Sequence, residues 1–263
     1  MKKVAFIGVG NMGGILARSA CQAVGPEEVV VTNRTYEKAA ELARETGCQA
    51  VGTNREAAKD AACVFLCVKP KLMRGVMEEL ADQLKGRTVV SVAAGVPLSD
   101  LVAWAPDSIV LRLMPNTCAA VGKGMLALTA GAGVKEERYV QVEELLAAAG
   151  RTERIGEELM DQFSALAGCG PAFVYPYIEA LADGGVKTGL PRAKALAYAA
   201  QTVLGAAAMV LETGEHPGKL KDDVCSPGGS TIAGVAVLEE HGLRAAAIDA
   251  VTAAFEKTKG LGK

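Results

Sequence analysis

The run Val4, Ala5, Phe6, Ile7 enters the turn Gly8, Val9, Gly10, Asn11, Met12, Gly13, after which Ile15, Leu16, Ser19, Ala20 and Ala23 recur at helical spacing. The order is strand, glycine turn, helix. In a dinucleotide-binding unit the first glycine makes the tight turn, the second lets the backbone approach a pyrophosphate, and the third lets helix pack closely on strand. The unpaired N–H groups of the helix start then face the phosphates. With 30 glycines in 263 residues, the spacing G-x-G-x-x-G alone says little. Its weight comes from standing on the first strand of a βαβ pattern.

A second apolar run, Val29 to Val31, ends in Thr32, Asn33, Arg34, Thr35, where an NAD-specific unit would carry a carboxylate for the ribose 2'-hydroxyl. Asn33 can donate hydrogen bonds and Arg34 can pair with a 2'-phosphate, which favours NADPH and leaves NADH as an alternative. Arg34 could instead be a solvated residue at a helix start, with Thr35 as its N-cap. A helix then runs through Leu42 to Gly47, and Asn54 is placed to cap a helix over residues 55–60. Cys63 to Val68 reads as a buried strand running into Lys69 and Pro70, with Pro70 opening a helix. Thr88 to Val92 ends in Ala93, Ala94, Gly95, and Ile109 to Leu113 ends in Met114, Pro115, Asn116, Thr117. Small residues and an amide at successive strand ends fit the ligand crevice of a doubly wound sheet, although tight turns alone would use the same residues. Met125 to Thr129 and Thr152 to Ile155 read as further strands, the latter at an edge, around a helix over residues 134–149. From Gly156 onward there is no strand pattern.

Half the residues are hydrophobic and the formal charge is −2, so nothing electrostatic draws this chain to nucleic acid or to an anionic membrane. Seven scattered cysteines with no C-x-x-C pair and no Cys/His cluster imply no metal and a reducing compartment. A cytoplasmic location follows, since Gly8, Gly10, Asn11, Gly13 and Gly14 interrupt any apolar signal segment after Lys3. The stretch Ala195 to Leu211 is alanine-rich and carries Gln201 and Thr202, which suits a buried helix rather than a membrane span.

In the second half, Pro171 begins a helix with an internal Pro176, and residues 191–213 form another, closed by Gly214. Apolar residues on most faces of that helix predict an intertwined homodimer. Further on, Cys225, Ser226, Pro227, Gly228, Gly229, Ser230, Thr231 form a loop whose adjacent glycines and hydroxyls could make either a nest of N–H donors for a carboxylate or an ordinary helix cap.

From Leu220 through Ile232 the sequence resembles the C-terminal signature of the pyrroline-5-carboxylate reductases. Val68-Lys69-Pro70, Ala93-Ala94-Gly95, Met114 to Thr117 and Asp183 to Pro191 are similar to other stretches of that family, so the likeness covers nearly the whole chain. The resemblance implies an α/β chain: an N-terminal Rossmann (doubly wound) domain over residues 1–156, then an all-α dimerisation and substrate domain over residues 157–263. It implies NAD(P)H-dependent reduction of 1-pyrroline-5-carboxylate to L-proline, in a homodimer or a decamer of five dimers. Carried onto matching positions, Ile7, Gly8, Val9, Gly10, Asn11 and Met12 would bind the pyrophosphate. Asn33 and Asn54 would lie near the adenosine ribose and its 2'-phosphate. Cys67, Val68, Lys69 and Pro70, with Ala93, Ala94 and Gly95, would line the nicotinamide side, and Arg34 and Asn116 are further expected cofactor residues. Val224, Ser226, Gly229, Ser230 and Thr231 match the substrate loop, with the Gly229 and Ser230 N–H groups expected on the carboxylate and the Thr231 hydroxyl on the ring nitrogen. Cys118 stands where proline is common in the family, and Cys169 where serine is usual.

Two other readings compete. A β-hydroxyacid dehydrogenase would use a helix-borne lysine, for which Lys187 is the candidate, but Leu190 stands where its asparagine belongs. A nucleotide sensor would keep the first domain without the loop at 226–231. His216 and His241 precede Pro217 and Gly242, which suits caps or surface positions rather than acid–base groups.

Overall fold

A computed structural model describes residues 3–259. The N-terminal strands and helices are β1 (Lys3–Ile7), α1 (Asn11–Val24), β2 (Val29–Thr32), α2 (Tyr36–Thr46), β3 (Gln49–Ala50), α3 (Asn54–Ala58) and β4 (Ala61–Leu66). Then come α4 (Pro70–Glu79), α5 (Ala81–Leu84), β5 (Thr88–Ser91), α6 (Leu98–Trp104), β6 (Ile109–Met114), β7 (Gly124–Ala130), α7 (Glu136–Leu146), β8 (Gly150–Arg154) and α8 (Met160–Phe163). The remainder is helical: α9 (Gly170–Lys187), α10 (Arg192–Thr213), α11 (Pro217–Val224), α12 (Ser230–Glu240) and α13 (Leu243–Thr258). Residues 3–169 and 254–259 form one compact unit, and residues 170–253 form another. The helical part thus begins as its own unit some residues later than the composition change at Gly156.

The eight strands form one sheet in the order β3-β2-β1-β4-β5-β6-β7-β8. All neighbours are parallel except β6 and β7. Because crossovers cover both faces, the strands are apolar on both sides, and β4 is buried at every residue. Alternation still sorts the side chains. Val4 and Phe6 join the layer packed on α1 and α7, while Ala5 and Ile7 join the layer packed on α3 to α6. In the first layer the paired residues Phe6 and Phe65 stack with ring centroids 4.5 Å apart. Chain order reverses between β1 and β4, which opens a crevice at the carboxyl ends of those strands.

Several expectations move by a residue or two. The strand read as Cys63 to Val68 is Ala61–Leu66, because Cys67 and Val68 turn out of the sheet toward Pro70. The short helix after β3 is capped by Thr53, not Asn54: the Thr53 hydroxyl accepts from Glu56 N while the Glu56 carboxylate accepts from Thr53 N. Helix α6 has no counterpart in the sequence reading, since its periodic core residues are only Leu98 and Leu101.

The second unit is built on α9 and α10, which meet through Ala182, Ala195 and Ala199. Small residues allow that closeness: a Cβ on Gly185 would stand 3.2 Å from the Ala195 Cβ. Within its own chain helix α10 is largely exposed. Among its residues only Ala195 and Ala199 are buried, while Leu204, Met209 and Leu211 are exposed. By length and composition alone it could cross a membrane.

Candidate functional site

The first site begins at the end of β1. Gly8 has φ +95°, and a Cβ there would lie 2.9 Å from the Cys67 carbonyl oxygen, so the turn and the neighbouring strand end together demand glycine. Gly13 is fixed by packing: its Cβ would meet the Gly8 carbonyl oxygen at 2.3 Å. Gly10 is different, because a Cβ there would meet nothing within 4 Å. Its lack of a side chain leaves open space in front of α1, and α1 has no side-chain cap on its Gly10 start. The first amides of a helix have no intrahelical acceptor, so this helix start is an uncapped anion cradle.

A cleft of about 870 Å³ spreads from this turn along the ends of β1, β2 and β4. Ile7, Gly8, Gly10, Asn33, Arg34, Asn54, Cys67, Val68 and Lys69 all line it, as the sequence predicts. Sequence reasoning missed Lys38, Lys71 and an apolar wall of Leu72, Gly75 and Val76 on α4. Leu72 and Val76 lie one step round the helix from Met73 and Met77, which are buried in the core. Arg34, Lys38, Lys69 and Lys71 make no ion pair among the described residues, so four cations face the cleft without internal partners. Asn33 is oriented by a bond from its Nδ2 to the Thr35 carbonyl, 3.1 Å, and Asn54 by one from its Nδ2 to Glu79, 3.0 Å. Each keeps its Oδ1 for a further donor. Burial pushes the Cys67 thiol up to about 12, so this lining residue stays a neutral thiol at physiological pH.

Other expected cofactor residues fall elsewhere. Val9 is buried in the core, Asn11 lines an adjoining groove that shares Gly10 and Lys38 with the cleft, and Met12 packs against the core. Their contribution to the turn is through backbone. Pro70 starts α4. Ala93, Ala94 and Gly95 leave the end of β5 next to Cys67 to Lys69, since the Val92 amide donates to Leu66 at 3.1 Å. The Asn116 side chain is held in place: its Nδ2 donates to the Ala167 carbonyl at 2.9 Å and its Oδ1 accepts from Met125 N at 3.3 Å. It is buried and ties these chain segments together.

The second site lies wholly in the helical unit. After α11 the chain turns at Gly228, φ +71°, and the Gly229 amide donates to the Ser226 carbonyl at 3.0 Å. That bond engages the Gly229 amide, an expected carboxylate donor, within the loop itself. Helix α12 starts on Gly229 without a side-chain cap, so the hydroxyls do not close it and the amides of Ser230, Thr231 and Ile232 are its free donors. Ser226, Ser230, Thr231 and Val224 are exposed around this start. His216 caps α11 by accepting from Gly218 N at 3.0 Å, and His241 is exposed at the end of α12. Lys187 is exposed at the last turn of α9. Among the described residues no group of His, Cys, Asp and Glu is arranged to hold a metal ion.

Comparison with known proteins places the two parts of the chain in described families. Residues 3–95 match the family model described as NADP oxidoreductase, coenzyme F420-dependent, and residues 157–261 match that of pyrroline-5-carboxylate reductase dimerisation. The exposed apolar surface of α10 therefore belongs to a dimerisation domain. A pyrroline-5-carboxylate reductase of Escherichia coli is 44% identical over 269 aligned residues, covering 100% of this chain and 99% of that protein. A structure of the Coxiella burnetii reductase superposes with a TM-score of 0.92 at 35% identity, covering 100% and 99% of the two chains. The Plasmodium falciparum reductase, solved with NADP bound, superposes at 0.88 with 29% identity and 100% and 98% coverage. Matched over its full length by such relatives, the chain is an oxidoreductase that belongs to the pyrroline-5-carboxylate reductase family.

Proposed function

We propose that this chain reduces 1-pyrroline-5-carboxylate to L-proline with NADPH, and that it does so by positioning rather than by acid–base machinery. The observation that carries the reading is a pair of helices, α1 and α12, each starting on glycine with no side-chain cap. One start suits a pyrophosphate and the other a small carboxylate. The residues of the cleft fit NADPH: Gly10 leaves room for the pyrophosphate, and Arg34 with Lys38 supplies unpaired charge beside the β2 end for a 2'-phosphate. When bound, the nicotinamide supplies the hydride. Cys67, Val68, Lys69, Ala93, Ala94 and Gly95 provide its backbone setting at the ends of β4 and β5.

On the helical unit the amides of Ser230, Thr231 and Ile232 hold the substrate carboxylate, with Ser226 at the rim. The Thr231 hydroxyl hydrogen-bonds the ring nitrogen. A cyclic imine accepts its proton near neutral pH without a dedicated acid, so orienting the C=N carbon is the main requirement. The chain works in the cytoplasm as a homodimer or a decamer of five dimers, without nucleic-acid or membrane partners. Steady-state oxidation of NADPH and of NADH with pyrroline-5-carboxylate tests the reading. Turnover with a preference for NADPH is expected; cofactor binding with no oxidation in the presence of the imine overturns it.

A further inference from the structure

Arg112 is a charged residue in the middle of the sheet, on β6 and only 4% exposed. Its guanidinium donates to Glu157 Oε1 at 2.5 Å. The same oxygen accepts from the Leu98 amide at 2.9 Å, across 59 positions of sequence. Leu98 is the first residue of α6, whose N-cap is Pro97. Proline has no side-chain acceptor, so the helix cannot cap itself and takes its cap from Glu157 instead. The other carboxylate oxygen, Oε2, is buried with no partner. A buried carboxylate atom left unpaired is costly, and it remains here because the rest of the side chain is held by two donors.

What this cap controls is the segment just before it. Residues 92–97 are fixed at their start, where the Val92 amide donates to Leu66 and the Ala93 amide approaches Ser91 Oγ at 3.4 Å. They are fixed at their finish by the bond from Leu98 to Glu157 and by burial of Val96 and Leu98. Between these anchors stand Ala93, Ala94 and Gly95, with Gly95 at φ +74° and no side chain large enough to hold the loop itself.

We propose that Glu157, oriented by Arg112, is a positioning residue for hydride transfer: by capping α6 it sets the place of the Ala93–Gly95 backbone against the nicotinamide. The proposal rests on the assignment of Ala93 to Gly95 to the nicotinamide side. A misplacement of about 1 Å at a reacting centre lowers turnover by up to about 100-fold. Binding strength, by contrast, is set at the far end of the cleft by the Gly8 turn and Arg34, beyond the reach of Glu157.

The test uses the full-length protein, with Glu157→Ala, Glu157→Gln and Arg112→Lys. Kcat with pyrroline-5-carboxylate is measured beside the NADPH Kd and the fluorescence of bound NADPH, which reports the nicotinamide surroundings. In Glu157→Ala, kcat falls about 10- to 100-fold and the emission of bound NADPH changes, while Kd stays within about 3-fold. Glu157→Gln, whose Oε1 can still accept from Leu98 N, recovers most of the turnover, and Arg112→Lys falls between the two. Should Glu157→Ala not fold, the same split is read from Arg112→Lys, with Glu157→Gln near wild type. A folded Glu157→Ala or Arg112→Lys with unchanged kcat, or with kcat lost only in proportion to Kd, overturns the proposal. A wild-type protein that binds NADPH but leaves the imine unreduced would instead refute the assigned reaction, a result separate from any effect of these variants.

Discussion

Thr231 stands on the first turn of α12 with both its amide and its hydroxyl available, and no other described hydroxyl pairs those two donors at that helix start except Ser230. Thr231→Ala keeps the amide and removes the hydroxyl. Turnover is expected to drop on the order of 100-fold, the scale of one lost transition-state donor, with the NADPH Kd unchanged in a fluorescence titration. Thr231→Ser restores most of it. Arg34 acts at the other ligand. Without an ion-pair partner among the described residues, its guanidinium is open to a phosphate, and Arg34→Ala should shift the NADPH-over-NADH preference in kcat/KM by about 10- to 100-fold, one charge-assisted bond of about 1.5–3 kcal/mol. Equal loss with both cofactors would place Arg34 away from the 2'-phosphate. Residue identity alone pointed to Thr231 and Arg34, because a hydroxyl beside glycines and a cation replacing a carboxylate carry their chemistry wherever the chain goes. It does not reveal that Asn116 and Gly229 already bond to Ala167, Met125 and Ser226. Whether a donor is free depends on its neighbours in space.

At the scale of elements, the β1 turn separates two roles for glycine that one motif conceals. Gly13→Ala forces a Cβ against the Gly8 carbonyl and should destabilise the fold by about 1–3 kcal/mol, seen as a lowered Tm without ligand. Gly10→Ala meets nothing in the protein, so Tm of the free protein should hold while NADPH affinity falls. Reversal of these two phenotypes would mean that the pyrophosphate does not approach Gly10. Strand β4 carries a pH signature as well. Burial holds the thiols of Cys63 and Cys67 up at about 12, against an ordinary value of 9.0. The folded state therefore keeps protons that the unfolded state gives up, so the associated stability is intact below pH 9 and declines as pH rises toward 12. In Cys63→Ala, the alkaline fall in urea-unfolding stability should be shallower than in the wild type. The strands themselves were legible because a fully buried parallel strand is a run of apolar residues with polar or small residues at its ends. Helix α6 was not legible, since a seven-residue helix with two core side chains and a borrowed cap leaves no period in the sequence.

For the whole molecule, the helical unit leaves Leu196, Leu204, Met209 and Leu211 of α10 in solvent within a single chain. A dimerisation domain resolves this, because apolar surface of that extent is stable only when covered. The double variant Leu204→Glu/Leu211→Glu should shift the sedimentation coefficient toward the monomer and lower turnover in step with the monomer fraction; an unchanged assembly would place these two leucines outside the interface. The sequence by itself determined the glycine turn, the run of buried strands, the basic end of β2 and the loop at 226–231, since each is a matter of local backbone geometry and side-chain chemistry within a dozen residues. Only the tertiary structure decided that β7 runs antiparallel, that α4 lends the cleft its apolar wall, that Asn116 bonds to Ala167 and Met125, and that Glu157 caps α6. Those outcomes depend on which groups, far apart along the chain, come within bonding distance, and pairwise proximity is not written in local pattern.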